Sequence, residues 1–399
     1  MKRRRQGESV FLSIVTMCLF ASLWMGCGSE SEIATAQAGR TSDEIINGTP
    51  TTTSYANVIS IRAEGRHWCT GMIVGYNAVL TALHCDCLLD VDRSNLRFRR
   101  GNFTNDGQQD LTVGSNVVQV ADVFTPYSCA ENGTQEGKDV MMLITDPPIG
   151  AVSGIDRNPS DQKQLHDYAA NDGDQFTIVG YGRTVYNELS PGEKKTAQQQ
   201  LLEVDGEALV TVPTATNQYP SSGDSGAPVF FNGNLVGVHS SGIDYPSAVS
   251  KDAVNTRFNA VRSRLEGVLA LFSGQVIGIS TEQSNTLCFS SPNSFAAAEL
   301  NGCTTTDPYQ NWVFDRTTGE IKNLQTGQCL DSWGRVGNAR MNGCHGLGGN
   351  QYWEVNVEWG QIKNPSSGLC LDAHDGGPGD LVQMNTCWGV GGNQRWHFF

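Results

Sequence analysis

The 399-residue sequence is short of positive charge. It has 27 lysines and arginines against 41 aspartates and glutamates, a net charge of −14. Such a chain has no electrostatic reason to bind nucleic acid or anionic lipid. It has no Cys-x-x-Cys pair and no histidine–cysteine cluster with zinc spacing, so it offers no metal site and implies no cofactor. No paired carboxylates stand out in a cleft-like setting, which argues against a glycoside-directed enzyme. Helical periodicity is almost missing. Long apolar runs are scarce as well. The stretch from Val10 to Met25 falls short of the ~20 residues that a membrane-spanning helix needs.

What is present points to a mostly β, two-domain protein. Glycine is abundant (45 residues) and 39% of the chain is hydrophobic, enough for cores of real size. The length exceeds one ordinary core and suggests two domains of roughly 100–200 residues each. The basic Lys2-Arg3-Arg4-Arg5 followed by the Val10–Met25 run reads as a signal peptide over residues 1–27. Two ends fit it. Ala36-Gln37-Ala38 is a small-residue cleavage pattern. Gly26-Cys27 closes the apolar run and resembles a bacterial lipoprotein signal, with Cys27 as a lipid anchor. In the first case Cys27 is discarded. Residues 28–44, polar and acidic, read as a propeptide or tether. Secretion, or a place in a bacterial cell envelope, follows.

From Ile45 the chain becomes a run of short β-branched segments divided by turn residues. They include Asn57–Ile61, Gly71–Val74, Ala78–Ala82, Asn116–Val120, Val140–Ile144, Phe176–Val179, Pro228–Phe231 and Leu235–Val238. Strands at this spacing argue for a barrel or sandwich. One helix is expected, over Asp252 to Ala270, where Phe258, Val261, Leu265, Val268 and Leu269 fall three and four apart.

Three residues in this region carry chemistry. Gly223-Asp224-Ser225-Gly226 is a glycine-flanked turn with a serine at its apex, the setting that a nucleophile and its oxyanion donors need. His84 ends a strand pattern beside Cys85. Cys69 lies sixteen residues earlier, and a 69–85 bridge would fix the histidine backbone. Asp139 precedes a wholly apolar strand, where a partly buried carboxylate needs a donor. After the signal peptide ten cysteines remain. An even number in an exported chain reads as five disulfides.

His84, Asp139 and Ser225, in that order and with those flanks, resemble the trypsin/chymotrypsin-like serine proteases over residues 45–272. Thr81-Ala82-Leu83-His84-Cys85, Asp139-Val140-Met141-Met142-Leu143 and Gly223-Asp224-Ser225-Gly226-Ala227-Pro228 are similar to the family's three motifs. Gly180-Tyr181-Gly182-Arg183 and Ile45-Ile46-Asn47-Gly48 match two further segments. The resemblance implies a two-barrel fold. It makes Ser225 the nucleophile, His84 the general base and then acid, Asp139 the group that holds His84, and the Gly223 and Ser225 amides the oxyanion hole. It makes the chain a zymogen in which cleavage before Ile45 frees an amine to pair with Asp224. Ala227 replaces a glycine and is expected to place a methyl beside the hole. Cys87 and Cys129, left over in this region, are expected to bridge each other.

The pocket differs from trypsin's. Tyr219 takes the pocket-floor place, leaving no carboxylate for Arg or Lys, and Ser240-Ser241-Gly242 replaces Ser-Trp-Gly. His239 before that segment, with Ser222, resembles the bacterial glutamyl endopeptidases, which bind a glutamate side chain there. Glu44 at the activation site fits self-cleavage. The specificity pocket is thus expected to involve Tyr219, Ser222, His239, Ser240 and Gly242. A pocket for small or apolar residues is the alternative.

Residues 273–399 repeat with a period of about 42 residues. Gly274-Gln275-Val276-Ile277, Gly319-Glu320-Ile321-Lys322 and Gly360-Gln361-Ile362-Lys363 each open a unit that ends in Gln-x-Trp, at Trp312, Trp353 and Trp396. The repeat resembles ricin B-type β-trefoil lectins. That resemblance implies bridges 288–303, 329–344 and 370–387 and makes the three tryptophans core residues. It also implies sugar contacts at Asp331 and Asn350, and at Asp372, Gln383 and Asn393. The first unit has Cys288-Phe289-Ser290 and Tyr309 instead and is expected not to bind. Asn342 and Asn385 stand where the family keeps a stacking aromatic.

The sequence therefore reads as a mostly β protein, a two-barrel protease domain followed by a β-trefoil. It reads functionally as an exported serine endopeptidase acting on protein substrates, with a module for glycans or glycoproteins. A catalytically inert adhesin is the competing reading.

Overall fold

The computed structural model describes residues 45–399 apart from 52–53, 88–91, 102–108, 130–136, 154, 156–163, 183–192, 243–251, 292–294, 375 and 390–391. Residues 1–44, where a signal peptide and a propeptide are expected, lie outside the described residues, with Cys27 and Glu44 among them, as does Arg183.

The short β-branched segments pair antiparallel into two sheets. The first runs in the order Arg97–Arg99, Val58–Ala63, Arg66–Gly75, Ala78–Thr81, Met141–Asp146, Gln119–Phe124. The second runs Thr49–Pro50, Lys195–Asp205, Gln175–Gly180, Pro228–Phe231, Asn234–Gly242, Ala253–Arg257, Ala208–Pro213. Pairing of Lys195–Asp205 with Ala208–Pro213 closes the second sheet on itself. This is the expected two-barrel arrangement. Val140 to Ile144 is buried at every position, which is why that segment reads as an unbroken apolar run.

Two segments differ from the sequence reading. Lys195–Asp205 is an eleven-residue strand, although Gln198-Gln199-Gln200 gives it no apolar alternation. Its polar groups are bonded instead: Gln199 Nε2 donates to the Gln218 carbonyl, and Thr211 Oγ1 donates to Gln199 Oε1 at 3.4 Å. The helix expected from Asp252 begins only at Arg262 and runs Arg262–Ser273. Ala253–Arg257 is a strand, because its backbone pairs with Asn234–Gly242 on one side and Ala208–Pro213 on the other. The helix ends at Gly274, in the left-handed region at φ 69°, where a side chain would be strained.

The C-terminal part forms three small sheets, and Ile279–Thr281 pairs with Trp396–Phe398, so the repeats close on each other. The Gln-x-Trp repeat has one physical role, used three times. Trp312, Trp353 and Trp396 are fully buried, and their indole N–H groups donate to the carbonyls of Phe289, Leu330 and Leu371 at 2.9, 3.0 and 3.1 Å. Gln310, Gln351 and Gln394, also buried, donate to Gly302, Gly343 and Thr386 carbonyls at 2.8, 2.9 and 2.8 Å. A buried tryptophan is stable only with its N–H paired, and each unit supplies that partner itself. Five disulfides join Cys69–Cys85, Cys87–Cys129, Cys288–Cys303, Cys329–Cys344 and Cys370–Cys387.

One apolar cluster runs without a break from Val58 and Leu80 in the barrels through Leu265 and Leu271 of the helix to Trp312 and Phe398 in the trefoil. The helix approaches the last strand closely: a Cβ on Gly267 would lie 2.1 Å from the Phe398 carbonyl oxygen.

Candidate active site

His84 opens a single helical turn, His84–Cys87, just after the strand Ala78–Thr81. Disulfides from Cys85 and Cys87 tie this turn down, and Trp68 Nε1 donates to the Cys85 carbonyl at 3.0 Å. Asp139 is fully buried. Its Oδ2 meets His84 Nδ1 at 2.6 Å, and its Oδ1 accepts the His84 amide at 2.8 Å. A hydroxyl from the second barrel, Ser240 Oγ, also donates to Oδ2, at 2.5 Å. The Asp139 amide donates to Thr256 Oγ1 at 3.1 Å. Burial opposes ionisation of Asp139 more than any other single influence. The His84 hydrogen bond and charge, the Ser240 hydroxyl and the His84 amide together outweigh it and hold the carboxyl below its ordinary value.

Ser225 sits half-buried on a turn docked against this pair. Its carbonyl accepts the Thr70 amide at 2.8 Å and lies 3.8 Å from Cys85 Sγ, next to His84. The turn must contain glycine at 226: φ is +80°, and a Cβ there would meet Thr81 Oγ1 at 2.0 Å. The Ser225 hydroxyl makes no hydrogen bond with His84; such bonds are often long in a free enzyme and shorten with substrate. The amides of Asp224, Gly226 and Ala227 donate to Ser221, His239 and Asp224 carbonyls at 3.0, 2.7 and 2.8 Å. Those of Gly223 and Ser225 donate to no described group, which leaves both N–H groups for an oxyanion. The Gly223 peptide is held from behind. Its carbonyl accepts from Thr70 Oγ1 and from His67 Nε2, both at 3.0 Å, and Ser60 Oγ meets His67 Nδ1 at 2.7 Å. With a carbonyl on Nε2, that nitrogen carries the proton and the Ser60 hydroxyl donates to Nδ1.

Asp224 is fully buried, and its carboxylate accepts the Gly182 and Ser221 amides at 2.8 and 2.9 Å. A Cβ on Gly180 would lie 2.0 Å from Asp224 Oδ1, and one on Gly182 2.6 Å from Oδ2, which accounts for both glycines of Gly180-Tyr181-Gly182. Ile45 is buried in the cluster that also holds Tyr168, Val229 and Ala227. The Ala227 methyl thus fills core space, correcting the expectation that it crowds the hole.

The expected pocket residues separate. The Ser240 hydroxyl is committed to Asp139, so of its side chain no donor is left for a substrate. Tyr219 is half-buried and exchanges backbone hydrogen bonds with Ile46, at 2.9 and 3.2 Å. Ser222 is exposed, and Gly242 ends the strand that carries His239. His239 is buried, and its Nδ1 lies 3.0 Å from Asn255 Oδ1. Asn255 donates its two amide hydrogens to the Leu209 carbonyl and Thr211 Oγ1, so its oxygen accepts and His239 Nδ1 carries the proton. Burial lowers the His239 pKa to about 4.

In the trefoil, Asp331 and Asp372 are buried. Asp372 Oδ1 accepts the His374 amide at 2.7 Å, and Oδ2 accepts Gln394 Nε2 at 2.9 Å and Trp388 Nε1 at 3.3 Å. Asp331 is held alike, by the Trp333 amide, Gln351 and Asn342 at 2.8, 3.3 and 3.4 Å. Gln383 faces Asp372 across the strand pair. Asn393 donates to the His374 carbonyl and accepts from Gln283, and Asn350 is exposed. Sequence reasoning passed over Trp388, 66% exposed, and Trp333, 48% exposed. In the first unit Phe289 stacks on Trp312 inside the core, with ring centres 4.4 Å apart.

A family profile described as Trypsin matches residues 45–265, and one described as Ricin-type beta-trefoil lectin domain matches residues 317–399. Exfoliative toxin A of Staphylococcus aureus is 26% identical over 196 residues, 48% of this chain and 62% of the toxin. The cercarial protease of Schistosoma mansoni is 30% identical over 216 residues, 47% of this chain and 76% of that protease. The structure of neuropsin, a serine protease of mouse brain, aligns with a TM-score of 0.45 and 21% identity over 56% of this chain and 98% of that one. The chain spans less than two thirds of the toxin's length. The chain belongs to the trypsin family of serine endopeptidases. It carries a ricin-type β-trefoil lectin domain at its C-terminal end.

The state of His239 can be checked directly. A folded pKa near 4, below the ordinary 6.5, gives stability that is present above pH 6.5 and lost as pH falls through 4. Histidine nitrogen NMR of the free protein is expected to show His239 as the neutral Nδ1–H form at pH 6. A doubly protonated ring at pH 6.5 would contradict it.

Proposed function

We propose that the protein is an exported serine endopeptidase, made as a zymogen, that cuts after glutamate and is brought to glycans by its trefoil. The observation that carries the catalytic part is the Asp139–His84 pair beside a serine turn with two undonated amides. Ser225 attacks the scissile carbonyl, and His84 takes its proton and passes it to the leaving amine. Asp139 fixes the Nδ1–H tautomer of His84 and stabilises the imidazolium. The Gly223 and Ser225 amides meet the oxyanion, each worth about 3 kcal/mol. Cleavage before Ile45 would supply the amine for Asp224, and Glu44 at that bond suits the enzyme's own preference.

His239 gives the glutamate reading a definite proton requirement. Its Nδ1–H is engaged by Asn255, so Nε2 is a bare acceptor when the ring is neutral. A glutamate carboxylate needs a donor there. Binding it therefore takes up one proton, shared between the side chain and His239. At pH 7 this costs about 4 kcal/mol for a ring that titrates near 4, before the ion pair offsets it.

Peptides differing only at the cleavage residue are expected to be cut after Glu in preference to Leu or Ala, with no cleavage by Ser225→Ala. The Glu-to-Gln ratio of kcat/KM is expected to fall as pH rises from 5 to 8, by up to about tenfold per unit, because Gln needs no proton. Preferential cleavage after Leu or Ala would sink the glutamate reading.

For the trefoil, Trp388 offers an exposed ring beside Asp372 that Asn385 does not, and Trp333 offers one beside Asp331, with Arg340 over the ring 5.2 Å from its centre. A pyranose stacked on Trp388 would meet the Asp372 side of the third unit. Trp388→Ala is expected to weaken binding of a recognised glycan about tenfold, ~1.4 kcal/mol of lost aromatic contact. Unchanged binding by Trp388→Ala and Trp333→Ala on a glycan array would contradict it.

A further inference from the structure

The trefoil reaches the helical turn that carries His84. Asp86, two residues after the histidine, is the link. Its carboxylate accepts two parallel hydrogen bonds from Arg93, Nε to Oδ1 and Nη2 to Oδ2, both at 2.7 Å. The remaining arm of the same guanidinium, Nη1, reaches into the trefoil and donates to both carboxylate oxygens of Glu358 at 3.1 Å. One cation thus lies between two carboxylates, one from each domain. The Asp86 side chain is 9% exposed and that of Glu358 24%, so water screens the triad only in part. A planar guanidinium shared in this way fixes orientation as well as charge.

The neighbouring contacts keep Glu358 from drifting. The Val357 amide donates to Asp122 Oδ2 at 3.1 Å, and Val357 is buried. Behind it the helix Arg262–Ser273 meets the last strand at Gly267, where no Cβ would fit. Arg316 of the trefoil lies over the Phe272 ring, 5.0 Å from its centre. The trefoil is therefore held against the barrels by apolar packing, and the Arg93 clasp joins Glu358 to Asp86, two residues after His84.

We propose that Glu358 is a positioning residue for the proteolytic reaction, acting through Arg93 and Asp86 on the turn that sets His84. The lectin domain is then a working part of the protease, whether or not a glycan is bound. Loss of Arg93 leaves Asp86 and Glu358 as like charges across a gap. Loss of the Glu358 charge leaves Arg93 held from one side only.

The test uses the full-length protein and a short peptide substrate that carries no glycan. It rests on the reading of His84 as the base, and parental turnover in the same assay tests that reading by itself. Glu358→Gln is expected to lower kcat about threefold and Arg93→Ala about tenfold or more, with KM within twofold, as small displacements of a catalytic group do. Glu358→Asp should recover part of the loss. The double variant should fall no further than Arg93→Ala, because both act along one path. Hydrogen exchange at the amides of residues 84–87 should quicken in Glu358→Gln, a readout that holds even if Arg93→Ala fails to fold or the parent shows no turnover. Parental kcat in Glu358→Gln, a loss confined to KM, or unchanged exchange in the 84–87 turn would each overturn the proposal.

Discussion

A single buried carboxylate joins the two barrels. Asp139 stands before a strand of the first sheet, yet it accepts a hydroxyl from Ser240 and donates its amide to Thr256, both in the second sheet. Its other contacts are the ring and amide of His84. A carboxylate removed from water is costly unless donors surround it, and here they come from both barrels. The relative placement of the barrels is thus coupled to the orientation of one imidazole. The Ser225 turn follows from the same docking, since Thr70 and Cys85 of the first sheet and its adjoining turn hold its carbonyl.

The trefoil solves a different problem with a repeated device. Each unit buries one tryptophan and satisfies its N–H from a strand carbonyl, with a glutamine bracing the loop beside it. Three such units share one core, and that core continues through the helix into the barrels. The helix is the common wall. Its glycine at 267 lets the last strand approach closely, since a Cβ there would lie 2.1 Å from the Phe398 carbonyl oxygen.

Much of this was legible in the sequence, for reasons that can be stated. The Gln-x-Trp period could be read because every unit needs the same buried pairing. Gly180 and Gly182 could be matched because only glycine leaves room for the Asp224 carboxylate. His84, Asp139 and Ser225 could be chosen as candidates because each needs distinctive neighbours on its own short segment. Other features had no local signature. The strand Lys195–Asp205 reads as polar because its partners, Thr211 and Gln218, lie elsewhere in the chain. The bond from the Ser240 hydroxyl to Asp139 could not be read, because sequence gives a residue's place on a strand and not the group its hydroxyl meets. Nor could sequence connect Arg93 to Glu358, 265 residues apart. The helix start was misplaced because Phe258 and Val261, which lie between the strand and the helix, are buried in the same core as Leu265 and Val268 and extend their spacing.

The central claim is that the buried Asp139 carboxylate fixes His84 for catalysis. Asp139→Asn keeps the shape of the side chain and removes its charge. Turnover of a short peptide, measured beside the thermal midpoint of the same preparation, is the direct measurement. We expect a fall in kcat of about four orders of magnitude, with KM little changed and the protein still folded. A folded Asp139→Asn variant that keeps kcat within tenfold of the parent would contradict it.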